Sequence, residues 1–127
     1  MAKKIHITKN APSPIGPYSQ AVEVDGLVFC SGQIPLDAKS GQVVEGSPGE
    51  QTEKVMENIE ALLENAGLQF SNVVKTTIFL TDMAFFNEVN EVYGKRFKEA
   101  PPARSTVAVK GLPKGVKVEI EVIAKRF

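Results

Sequence analysis

Residues 101–123 read PPARSTVAVKGLPKGVKVEIEVI. Ser105, Val107 and Val109 alternate with Arg104, Thr106, Ala108 and Lys110. Further on, Val116, Val118, Ile120 and Val122 alternate with Lys117, Glu119 and Glu121. Period two is that of a half-buried strand, and Gly111, Pro113 and Gly115 supply turn chemistry between the two runs. The stretch therefore predicts a hairpin. A one-residue slip would set the valines of one strand against the charges of the other. The expected register thus pairs Thr106 with Glu119, Val107 with Val118 and Val109 with Val116, and leaves 111–114 as the loop. In that register Arg104, Thr106, Glu119 and Glu121 share one sheet face, with Arg104 within side-chain reach of both carboxylates. A solvated ion-pair ladder fits this pattern, and so does a binding site.

Working outward, residues 73–81 are rich in β-branched side chains and predict a strand. Asp82 is placed to cap a helix whose buried stripe is Phe86, Val89, Tyr93 and Phe97, with Pro101 and Pro102 beyond its end. Upstream, Ser47-Pro48-Gly49-Glu50 has the form of a capping box with proline at the first helical position. Val55, Met56, Ile59, Leu62, Leu63 and Ala66 continue at helical spacing, and Gly67 fits the C-terminal cap. Residues 35–46 form a polar loop. Asp25-Gly26 joins two strands over 20–24 and 27–34 by a two-residue turn. The second of these is apolar on both faces and is interrupted at Ser31-Gly32-Gln33, where a glycine points to close approach of another group. A short strand over 4–8 has Ile5 and Ile7 on one face and His6 on the other, and a proline-rich loop over 10–17 leads to Tyr18. The order predicts one α+β domain over residues 1–127, with a mixed sheet and both helices on one face. Two helices cover only one face of a sheet, so the other is expected to meet a second subunit.

Composition narrows the function. Lys and Arg together number 15 and so do Asp and Glu, and this balance argues against a surface built for nucleic acid or membrane. Cys30 is the only cysteine, which excludes an intrachain disulfide and fits a reducing compartment. No run is long enough to span a membrane, and residues 1–10 lack the apolar run of a secretory signal, so a cytoplasmic location is expected. His6, the only histidine, has no spaced partner and is expected at the surface; Cys30 is expected to be buried and inert. No metal-ligand spacing, phosphate-binding loop or dinucleotide fingerprint occurs, so neither metal nor cofactor is expected. Chemistry falls to carboxylate, arginine, hydroxyl, backbone and water. Arg104 can bind a carboxylate by two parallel hydrogen bonds. Glu119 can activate a water or pass a proton. Tyr18 and Ser31 can donate hydrogen bonds.

The segments IGPYSQ at 15–20, SGQIP at 31–35, VKTT at 74–77, PARS at 102–105 and VEIE at 118–121 together resemble the YjgF/YER057c/UK114 family, also called the Rid (reactive intermediate deaminase) family. The resemblance implies a chorismate-mutase-like fold, in which three subunits join their sheets into a central barrel with sites between subunits. It implies hydrolysis of small 2-imino acids to 2-oxo acids and ammonia. By the same resemblance Arg104 binds the substrate carboxylate and Glu119 holds the attacking water. Tyr18, Ser31, the Gly32 backbone and Asn90 complete the pocket. Thr106 stands where many members carry a reactive cysteine, which removes a thiol mechanism but leaves hydrolysis by water intact. Some family members are described as endoribonucleases, translation inhibitors or partners of regulators. The glutamates among Lys114, Lys117, Lys125 and Arg126 interrupt any basic stripe that RNA would require.

Overall fold

The computed structural model describes residues 2–127. Strands β1 (Lys4–His6), β2 (Ala21–Val24) and β3 (Leu27–Gln33) are followed by helix α1 (Pro48–Asn65) and strand β4 (Val73–Leu80). Helix α2 (Phe86–Gly94) and strands β5 (Ala103–Ala108) and β6 (Val118–Lys125) complete the chain. One mixed sheet runs in the order β1-β2-β3-β6-β4-β5, with α1 and α2 packed on one face. This is the expected α+β arrangement with both helices on one side.

Local signals account for most elements. Asp25 and Gly26 both take positive φ, 52° and 79°, the paired left-handed conformation that a tight β2–β3 turn requires. Ser47 and Glu50 form a reciprocal capping box at the start of α1. Gly67 ends the same helix at φ 76°. The apolar stripe of α1, from Val55 to Leu63, is fully buried against Val28, Ile78, Leu80, Val118, Ile120 and Val122.

The C-terminal hairpin does not form. β5 and β6 are not neighbours, because β4 lies between them, parallel to β5 and antiparallel to β6. Residues 109–117 instead cross the end of β4, held by Val109 N–H donating to the Leu80 carbonyl and Thr81 N–H to that of Lys117. The pairing of Thr106 with Glu119 is replaced by Thr106 with Ile78 and Glu119 with Phe79. The reason is burial. On its helix-facing side β6 carries Val118, Ile120, Val122 and Ala124, all buried, and a strand so placed pairs on both edges, here with β3 and β4. Alternation identified both strands but carries no information on which strand pairs with which.

His6 also departs from expectation. It is buried, and its Nε2 lies 2.8 Å from Oε1 of Glu23. Arg126 grips the same carboxylate with Nε and Nη2, each at 2.9 Å, and Nη2 also donates to the Ala66 carbonyl at the C-terminus of α1. Three chain segments are thus tied at one carboxylate. The Arg126 and His6 hydrogen bonds hold the Glu23 carboxyl at about 2.

A carboxyl lowered from 4.5 to about 2 stabilises the fold at neutral pH, and that contribution is lost as pH falls through this window. Glu23→Gln is expected to lower the melting temperature at pH 7 and to approach the wild type near pH 2. Circular-dichroism melts across that range test it; a deficit that stays constant down to pH 2 would place the effect outside this carboxylate.

Candidate functional site

A cleft of about 450 Å³ opens between the loop at 12–18, the bulged end of β3 and the first half of β6. Tyr18, Ser31, Gly32 and Glu119 all line it. It also takes in Gln20, Gln33 and Glu121, with apolar wall from Ile15, Ile34 and Leu36.

The backbone creates this grouping. Cys30 pairs with Val122, yet Gln33 pairs with Ile120, so β3 carries one more residue than β6 over the same span. This is a β-bulge at Ser31 and Gly32. A Cβ built on Gly32 would collide with the Glu119 carboxylate, so glycine is what allows that side chain to lie across the strand. The close approach foreseen from the sequence is that of Glu119. The Ser31 hydroxyl donates to the Ser19 carbonyl at 2.6 Å, so towards the cleft Ser31 offers acceptor lone pairs rather than its proton. Tyr18 is the reverse: its hydroxyl accepts from Ile15 N–H at 3.4 Å and keeps its proton to donate. Gln20 holds the loop that carries Tyr18. Its buried amide bonds to both main-chain groups of Thr8 and to the carbonyls of Ala11 and Pro12. Burial, assisted by the neighbouring Glu121 charge, pushes the Glu119 carboxyl above its ordinary value.

Arg104, Asn90 and Thr106 do not line this cleft. Arg104 is the register partner of Thr76 and Glu119 that of Phe79, three residues apart on β4. Odd separation on a strand means opposite faces. Arg104 and Thr106 therefore project on the helix side and Glu119 on the uncovered side. Two strand spacings and three residues of rise separate their backbones by about 14 Å. The single shared face expected from the hairpin is corrected accordingly. Likewise Val107 is 42% exposed on the uncovered face, whereas Val118 is fully buried under the helices.

What the structure does bring together is Arg104 and Asn90: Nη1 donates to Asn90 Oδ1 at 2.7 Å. The guanidinium carbon lies 5.6 Å from the Phe86 ring centroid and 5.1 Å from that of Tyr93. The Thr106 hydroxyl oxygen is buried without a hydrogen-bond partner. Helical spacing puts Phe86 and Tyr93 in a core stripe; that both also face the arginine depends on the β4–β5 pairing. Among the described residues no three His, Cys, Asp or Glu side chains come together as a metal site, and no helix is long and apolar enough to cross a membrane. Cys30 is buried, and desolvation pushes its thiol up to about 12.

Comparison with known proteins gives consistent matches. A family model described as Endoribonuclease L-PSP matches residues 8–126. Protein DfrA of Myxococcus xanthus is 56% identical over 98% of this chain and 96% of its own length. A human protein named 2-iminobutanoate/2-iminopropanoate deaminase is 46% identical over 98% of this chain and 90% of its own. Among solved structures, E. coli TdcF with bound serine aligns with a TM-score of 0.91 at 41% identity, covering 98% of this chain and 99% of TdcF.

Glu121→Gln removes a negative charge near Glu119 and is expected to lower the Glu119 midpoint. The midpoint should still remain above 4.5, because burial is the larger cause. Carbon-13 titration of the carboxyl groups measures this; an unchanged Glu119 midpoint would show that the two charges do not interact.

Proposed function

The chain belongs to the YjgF/RutC (Rid) family, and from that premise we propose that it hydrolyses small 2-imino acids to 2-oxo acids and ammonia. The observation that carries the reading is the division of the polar groups. One side of the sheet has a carboxyl of raised affinity for protons, beside hydroxyl and backbone groups in an apolar-walled cleft. The other has an arginine held by an amide and two rings. A 2-imino acid needs both: a cation for its carboxylate and a base for the water that attacks its C2. Neither half suffices alone, and the cleft of a single chain holds two glutamates and no cation.

A second copy resolves this. The sheet face opposite the helices is uncovered and carries exposed Phe29 and Val107, at 43% and 42%. Apolar surface of this kind favours association. Three copies in a ring, each lending its Arg104 edge to its neighbour's Glu119 cleft, would give three complete sites. The names of the human and mouse relatives support the chemistry, and the serine bound to TdcF is itself a small amino acid bearing a carboxylate.

In the proposed reaction Arg104 binds the substrate carboxylate through two N–H groups. Glu119 takes a proton from a water whose oxygen bonds to C2; the C=N electron pair moves to the nitrogen, to which Glu119 returns that proton, giving a neutral tetrahedral carbinolamine. Glu119 then takes the hydroxyl proton as the C2 carbonyl forms and passes it to the nitrogen, and the C–N bond breaks to release ammonia. The raised proton affinity of Glu119 suits both halves of this cycle. Tyr18 donates to the developing oxygen, and Ser31 accepts from the nitrogen. Thr106 only lines the arginine side of the site. The glutamates of the cleft weigh against phosphate-rich RNA as the substrate.

With threonine and a threonine dehydratase as the source of 2-iminobutanoate, the wild-type chain should accelerate 2-oxobutanoate release. Glu119→Gln is expected to lower kcat about a hundredfold, the scale for loss of a general base, while still binding pyruvate. Arg104→Lys should raise KM and weaken pyruvate binding. In the wild type, kcat/KM should fall as pH drops through a midpoint above 4.5, because the base must be ionised. A Glu119→Gln enzyme of near wild-type rate would contradict the assigned role.

A further inference from the structure

The aromatic groups around Arg104 form a continuous series. Phe70 packs edge-on against Phe97 at 5.4 Å between centroids, and Phe97 packs against Tyr93 at 4.8 Å. The Arg104 guanidinium carbon lies 5.1 Å beyond the Tyr93 ring. The Tyr93 hydroxyl is within 2.7 Å of the Thr76 hydroxyl, and both residues are buried. Thr76 is the register partner of Arg104. The ring is therefore fixed to the very sheet position from which the arginine projects.

We infer that Tyr93 and Phe86 are positioning residues for Arg104, setting the direction in which its guanidinium meets the substrate carboxylate. A free arginine side chain samples many rotamers, and freezing them on binding reduces affinity. Here two rings attract the cation, and Asn90 occupies Nη1. The Nη2 edge is left for the ligand. Tyr93 does this through its ring, while its hydroxyl anchors the ring to Thr76. Phe86 sits nearer the surface and bounds the guanidinium from a second direction.

The inference rests on Arg104 being the carboxylate-binding group, and the test separates the two. The dissociation constant for pyruvate, measured by NMR titration, is compared with the melting temperature for Arg104→Ala, Tyr93→Leu, Tyr93→Phe and Phe86→Leu. Arg104→Ala should abolish saturable binding. Tyr93→Leu and Phe86→Leu should each weaken it about fivefold, within the range of a cation–ring contact. Tyr93→Phe should bind clearly better than Tyr93→Leu even though it melts earlier than wild type, since the ring persists while the hydroxyl's bond to Thr76 and its interaction with the Arg104 guanidinium are lost. Should Tyr93→Leu fail to fold, Phe86→Leu, at a less buried position, carries the comparison. If Arg104→Ala loses binding while the leucine variants keep it, the rings are structural only and the inference is overturned. Equal damage from Tyr93→Phe and Tyr93→Leu would overturn it too. Wild-type binding by Arg104→Ala would remove the arginine reading itself, and the inference with it.

Discussion

Side chains on a β-strand alternate between its two faces, and in this protein that parity divides the polar chemistry. β4 lies between β5 and β6 and is the ruler for both. Arg104 stands opposite Thr76, and Glu119 opposite Phe79. Three residues separate those positions, so the guanidinium and the carboxylate point to opposite sides of one sheet. No rotamer of either side chain removes this separation. Any reaction using both groups needs an arrangement in which one chain's arginine edge approaches another chain's cleft. The uncovered sheet face supplies apolar surface for such an assembly.

On each side, backbone features prepare the side chain. The extra residue at Ser31 and Gly32 bends the end of β3 away from its ladder, and the missing Cβ of Gly32 admits the Glu119 carboxylate. Burial there, with Glu121 nearby, raises the proton affinity of Glu119. Across the sheet, α2 brings Phe86, Asn90 and Tyr93 to the guanidinium on one helical face. Far from both, the Glu23 carboxylate joins β1, β2 and the chain's C-terminal end through His6 and Arg126.

Much of this was legible in the residues themselves, wherever the determinant is local. The Asp25-Gly26 turn, the capping box of Ser47 and Glu50, the glycine ending α1 and the periodic stripe of α1 all depend on neighbours within a few positions. The significance of Gly32 was readable too, although not which group approached it. Strand partnership was not. The alternation in residues 104–110 and 116–122 suits a hairpin and a crossover equally, and only the burial of β6 on both edges selects the crossover. The faces of Arg104 and Glu119 followed that choice. The burial of His6 has a related cause: its partner Glu23 is distant in sequence and reaches it only through the β1–β2 pairing. The likeness of the motifs to one family points to Arg104, Asn90 and Glu119, even though the local alternation puts Arg104 and Glu119 on one face.

Subunit complementation tests the division of the site most directly. Arg104→Ala and Glu119→Gln are purified separately, then unfolded together in equal amounts and refolded. In a closed ring of three copies with head-to-tail contacts, mixed assemblies contain sites with an intact arginine from one copy and an intact glutamate from the next. Random assortment makes about a quarter of all sites complete. The expected result is two nearly inactive variants whose mixture recovers about a quarter of the wild-type hydrolysis of 2-iminobutanoate. A mixture no more active than its separate parts, from protein that refolds and assembles normally, would contradict a site shared between copies.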